Sequence, residues 1–94
     1  MQKWNELEFE WDEEKARKNF EKHGVYFQTA RRVFWDENRI EIYDEAHSAG
    51  EDRYNVIGMV NKVLFVVYTE RGERIRIISA REATAEEKEV YYDR

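Results

Sequence analysis

The sequence predicts an α+β fold: a small antiparallel sheet, a meander built on a central Val63–Tyr68 strand, packed by two N-terminal helices and a short C-terminal helix. Three observations carry this expectation. Val63-Leu64-Phe65-Val66-Val67-Tyr68 is apolar without alternation, and a strand apolar on both sides must be covered on both sides. The run Arg74-Ile75-Arg76-Ile77 alternates, so it reads as a partner arm with one wet, basic face. Helical spacing and helix caps occur only near the two ends of the chain.

Taken in order, Leu7, Phe9 and Trp11 alternate with Glu8 and Glu10, the pattern of a short half-buried strand. Asp12 then stands as a helix N-cap, with Glu13 and Glu14 in the first turn, where the helix dipole favours acids. Trp11 and Ala16 are placed for a hydrophobic staple, and Gly24 after His23 stops the helix, which spans Glu13 to His23. Phe27, Ala30, Val33 and Phe34 predict a second helix to Trp35, forming an αα-hairpin with the first. After a turn at Asp36-Glu37-Asn38, Ile40 and Ile42 alternate with Glu41 and Tyr43 in a strand, and residues 44–52 read as an exposed polar loop. A strand from Arg53 to Val60 turns at Asn61-Lys62 into the central strand. The central strand turns in its own right through Glu70-Arg71-Gly72-Glu73, a three- or four-residue loop with glycine available for positive φ. Thr84-Ala85-Glu86-Glu87 is a capping box opening the last helix, whose apolar side is Val90 with Tyr91.

Composition narrows the function. The 94 residues read as one domain, 1–94, and a chain of this length buries only somewhat more than ~60% of its unfolded surface. The 3 Trp, 6 Tyr and 5 Phe compensate, since each aromatic side chain can bury roughly 150–250 Å². With no cysteine, disulfide frameworks, cysteine zinc sites and thiol nucleophiles are excluded. No apolar run approaches ~18 residues and no signal sequence is evident, so a cytoplasmic protein with no membrane association is expected. The net charge is −5, but Arg53 to Arg81 carries six basic side chains against two acidic ones, a balance of +4. After Arg81 the balance is −3. A local basic face can bind phosphate on an acidic protein because screening limits the reach of distant charge to about 8 Å.

Most alternatives for the chemistry-bearing residues are structural. The aromatic stripes are core rather than stacking platforms, and His23 complements a helix C-terminus. Two histidines without HxxxH or HxH spacing predict no metal, and the scattered glycines form no phosphate loop, so no cofactor is expected. Ser48 and Ser79 have no local sequence supporting a triad. Arg81 is different. Continued alternation would send it after Ile75 and Ile77 onto the buried face, so the strand must bend or end, or the guanidinium must meet a carboxylate or a ligand.

Several blocks together carry a resemblance. Phe9-Glu10-Trp11-Asp12, Lys15-Ala16, Asn19, Lys22-His23-Gly24-Val25, Ala30, Val33-Phe34, His47-Ser48, Glu51, Arg53-Tyr54, Ile57-Gly58, Val66-Val67-Tyr68-Thr69 and Ile75 to Arg81 stand in the order seen in the BrnT family of bacterial type II toxins, which the chain resembles from about Phe9 to Tyr91. The resemblance implies a RelE-like fold, RNA cleavage that inhibits translation, and neutralisation by a BrnA-like ribbon-helix-helix antitoxin, with operator DNA contacted only through that partner. It also implies that Arg53 and Arg81 matter for toxicity. The expected reaction is metal-independent attack of a 2′-hydroxyl on its neighbouring phosphate, with Arg53 and Arg81 as phosphate clamps. Glu51 or His47 is then the candidate general base, Tyr54 an orienting group or weak acid, and Arg76, Arg74 and Lys62 substrate-binding cations. The alternative is a catalytically inactive toxin-like module that binds an antitoxin and serves in autoregulation.

Overall fold

The computed structural model describes residues 7–93. Strand β1 (Glu8–Glu10) leads into helix α1 (Glu13–His23), whose bounds are those expected because both caps are local. The Asp12 carboxylate accepts the Lys15 N–H at 3.0 Å, and Gly24 at φ 72 donates its N–H to the Phe20 carbonyl. The expected second helix divides into α2 (Phe27–Ala30) and a 3₁₀ helix (Arg31–Trp35). Over nine residues, apolar spacing does not separate a pitch of 3.6 from one of 3.0.

Strands β2 (Ile40–Tyr43), β3 (Tyr54–Val60), β4 (Lys62–Arg71) and β5 (Arg74–Glu82) follow, with a short 3₁₀ turn at Glu45–His47, and helix α3 (Ala85–Tyr92) closes the described chain. The five strands lie in the order β1-β5-β4-β3-β2, so β4 is central, as its apolar run demands. The meander is antiparallel, but β1 runs parallel to β5, pairing Phe9 with Ile75, and the sheet is therefore mixed rather than antiparallel throughout. Arg71 pairs with Arg74 across a two-residue loop, tighter than expected, with Gly72 at φ 61 in the first central position that type II′ hairpins reserve for glycine.

The two sheet faces differ. On one, α1, α2 and the 3₁₀ helix cover Val56, Val60, Leu64, Val66, Tyr68, Ile75, Ile77 and Ala80. Gly58 lets the 3₁₀ helix approach: a Cβ there would lie 2.9 Å from Val33 Cβ and 3.1 Å from its carbonyl oxygen. On the other face α3 covers Ile57, Val63 and Ala83 through Tyr91, with Phe65 at the margin. Beyond it, the row Ile42, Asn55, Val67 and Ser79 stays partly exposed, so β4 is covered fully on one side only.

A β-bulge settles where Arg81 goes. Val67 pairs with Ser79 but Tyr68 with Ile77, so Ile78 is the extra residue. The inward register of Ile75 and Ile77 resumes at Ala80, which is fully buried, and Arg81 turns to the open face opposite Phe65. Asn19 of α1 fixes this segment. Its side chain accepts the Ala80 N–H at 3.1 Å and donates to the Ala80 carbonyl at 2.8 Å and to the Val25 carbonyl at 3.0 Å. An amide side chain thus serves as strand partner for β5 where β1 has already ended.

Candidate nucleic-acid interface

Registry places most of the predicted cations on the open face. Arg71, Arg74 and Arg76 share the side of Thr69 and Arg81, and alternation from the inward Tyr54 puts Arg53 there as well. The expected +4 surplus is not a bare basic patch, however. Arg76 donates to Glu10 at 2.8 Å, Arg74 lies 3.3 Å from Glu8 and 3.7 Å from Glu10, and Arg71 lies 3.2 Å from Glu51. Arg81 grips Glu87 through both terminal nitrogens, at 2.8 and 3.0 Å, and lies 4.4 Å from the centre of the Phe65 ring. Glu8 and Glu10 fall outside both counted segments and Glu87 belongs to the acidic one that follows Arg81, so only the fold shows the neutralisation. Among the described residues, Arg53 alone of these cations has no ion pair.

Sheet geometry separates the two principal arginines. Arg53 lies four residues beyond Ile57, which shares a row with Phe65 and Arg81. At about 3.4 Å per residue and 4.8 Å per strand, their Cα atoms are roughly 16 Å apart. Between them run Asn55, Val67 and Ser79, and the side-chain Oδ1 of Asn55 is buried with no hydrogen-bond partner among the described residues. Arg53 is set by its backbone: its N–H donates to Ser48 Oγ at 2.9 Å and its carbonyl accepts the Asp44 N–H. That loop also brings Glu51 and His47 to the same end of the sheet, where the His47 ring lies 2.9 Å from Asp44.

Tyr54 and Lys62 are not brought to this face. Tyr54 is on the helix-packed side, stacked on Tyr68 with ring centres 5.4 Å apart and against Tyr43 at 5.6 Å. Burial, with Glu70 and Asp52 nearby, raises its pKa, which disfavours easy proton release. Tyr68 beneath it is raised much further by burial and by donating to Glu41 at 2.8 Å. Lys62 pairs with Val60 at the β3–β4 turn, in register with the helix-packed side, 3.8 Å from Glu82. Electrostatics at the other end are set by the Arg81–Glu87 pair. Hydrogen bonding to Arg81 holds Glu87 below the usual carboxylate range, and Glu87 raises Arg81 in turn. No group of three or more His, Asp or Glu among the described residues is placed to hold a metal ion. A groove of about 590 Å³ between α1 and α2, lined by Trp11, Phe20, Tyr26 and Phe27, holds none of the predicted site residues.

The family described as "Ribonuclease toxin, BrnT, of type II toxin-antitoxin system" matches residues 11–87. The chain belongs to this family. The BrnT match takes in every candidate residue, from the loop of His47 to Glu87 of α3. Among solved structures, the ribonuclease toxin BrnT of Brucella abortus is similar, with 25% identity and a TM-score of 0.67 over 83% of this chain and 97% of that one. No curated protein matches. No helix among the described residues is long and apolar enough to cross a membrane.

Glu10 and Glu87 were not singled out as site participants from the sequence, and Arg71 entered only through the charge balance and the hairpin loop. Glu10 was legible only as one half of an alternation and Glu87 only as a capping-box residue. Glu10 meets Arg76 across the β1–β5 pairing and Arg71 meets Glu51 of the loop before β3, whereas Arg81 and Glu87 are only six residues apart and meet through the turn that leads from β5 into α3.

Proposed function

We propose that this BrnT-family chain is the toxin of a type II toxin–antitoxin system, a metal-independent endoribonuclease that inhibits translation and is neutralised by a ribbon-helix-helix antitoxin. The observation that carries this reading is the open sheet face, with Arg53 unpaired among the described residues at one end and Arg81 half-buried beside α3 at the other. RNA laid along it meets Arg53 and Arg76 at one end and Arg81 at the other, each guanidinium addressing its own phosphate. In the reaction the 2′-oxygen attacks phosphorus, its proton passes to a base, the bond to the 5′-oxygen breaks, and that oxygen is protonated. A 2′,3′-cyclic phosphate and a 5′-hydroxyl end result. Guanidinium groups stabilise the charge that develops on the phosphorane. Glu51 and His47, beside Arg53, are the nearest candidates to take the 2′ proton. Tyr54, on the other face, we assign to packing beneath the Arg53 end, and Lys62 to the turn it occupies.

The ion pairing of Arg71, Arg74, Arg76 and Arg81 favours a second reading, an inactive module that binds the antitoxin without cutting RNA. One experiment separates the two. Purified protein without antitoxin, incubated with RNA in chelator, should cut, and Arg53→Ala and Arg81→Ala should each lower the rate at least 10-fold while staying folded. No cleavage by folded wild type supports the module, and undiminished cleavage by both variants refutes the arginine assignment.

A further inference from the structure

A guanidinium has two forks that can hold an anion in two places: the end-on pair of Nη1 and Nη2, and the side-on pair of Nε and Nη2. In Arg81 the end-on fork is occupied. Nη1 donates to Glu87 Oε1 at 2.8 Å and to the Glu82 carbonyl at 3.2 Å, and Nη2 donates to Glu87 Oε2 at 3.0 Å. Among the described residues no acceptor meets the Nε–H. The side chain is 34% exposed, with its guanidinium carbon 4.4 Å from the centre of the Phe65 ring at the margin of the open face, and its side-on fork is left unfilled among the described residues. Glu87 is itself held. Its Oε1 accepts the Thr84 N–H at 2.9 Å, while its own N–H donates to Thr84 Oγ at 3.2 Å, the capping box of α3. The first turn of α3 is therefore a bracket that fixes one edge of Arg81 and leaves the other edge free.

We propose that Glu87 is a positioning residue for the ribonuclease reaction: it occupies the end-on fork of Arg81 so that the side-on fork is presented to an RNA phosphate. The proposal rests on the assignment of Arg81 above. Its kinetic consequence differs from that of a simple salt bridge. The negative charge of Glu87 weakens the attraction of Arg81 for a ground-state phosphate, yet it removes the rotamer freedom the arginine would otherwise lose as charge builds on the phosphorane. The benefit therefore appears in kcat rather than in affinity.

Glu87→Gln tests this with the side chain's shape retained. Its amide oxygen still accepts the Thr84 N–H, while its NH₂ faces Nη2 donor to donor. Cleavage of a short mixed-sequence RNA should show kcat lowered about 10- to 100-fold with KM unchanged or lower. Folding is checked by cooperative unfolding of the same sample. Arg81→Lys keeps the charge beside Glu87 but has no side-on fork, and should be as impaired as Arg81→Ala. A folded Glu87→Gln with wild-type kcat overturns the proposal, and so does a gain in kcat/KM, which would make Glu87 a mask over Arg81. Full activity in Arg81→Ala instead sinks the underlying assignment, so the two failures are distinguishable. A readout in the unaltered protein guards against a variant that does not fold. The ¹⁵N-labelled Arg81 Nε–H resonance should shift when an oligonucleotide with a 2′-deoxy cleavage site is added, and an unmoved resonance under saturating oligonucleotide refutes the side-on contact.

Discussion

Replacing Asn19 tests whether a helix side chain completes the sheet beneath Arg81. Asn19→Ala removes three hydrogen bonds at 2.8 to 3.1 Å and leaves the Ala80 N–H, the Ala80 carbonyl and the Val25 carbonyl without that partner. Ala80 is fully buried, so water cannot take the place of the lost amide without opening the packing of α1 on β5. Each such bond contributes about 1 kcal/mol net, and a buried group left unpaired costs about 1–3 kcal/mol, so the loss is about 2–4 kcal/mol. For a domain of this size that lowers Tm by roughly 10–25 °C. Urea unfolding followed by circular dichroism measures it directly. Asn19→Asp sharpens the result. It keeps the acceptor for the Ala80 N–H but sets a carboxylate against two carbonyl oxygens, and should be at least as damaging at neutral pH. A loss below ~0.5 kcal/mol in Asn19→Ala would refute the account, because an unstrained sheet edge would then be closing without the amide.

Two further outcomes follow from the packing and the charges. Gly58→Ala should cost about 1–3 kcal/mol by forcing the 3₁₀ helix off the sheet. Val33→Ala should not rescue it in thermal melts, because the atoms met are Val33 Cβ, O and Cα, which alanine retains. Glu87 has its folded pKa lowered by Arg81, so its contribution to stability is complete above the ordinary glutamate value of about 4.3 and is lost as pH falls through the lower folded value. The Tm difference between wild type and Glu87→Gln should therefore shrink as pH falls from 5 towards 3 in a series of melts, and a constant difference would contradict the pairing.

What could be read from the sequence was whatever is decided within a few residues. Asp12 and Gly24 bound α1, and Thr84 with Glu87 opens α3, because a cap is satisfied by backbone groups two to four positions away. The central place of β4 was legible because a strand apolar on both sides has few other places to go. The charge count from Arg53 to Arg81 was sound as arithmetic but did not describe a surface, since the carboxylates that meet those arginines come from β1, α3 and the loop before β3.

By itself, then, the sequence determined the first and last helices, the strands, the β4–β5 hairpin and the family to which the chain belongs, while the second helix, read as one, divides into an α and a 3₁₀ segment. Tertiary structure alone decided that β1 joins β5 in parallel, that Ile78 bulges, and that Arg81 consequently faces the open side with Glu87 across one of its edges. The physical reason is range. A period-2 pattern is written in neighbouring residues, whereas a one-residue bulge reverses every later side chain without changing composition, and an ion pair between distant segments exists only after the chain has closed.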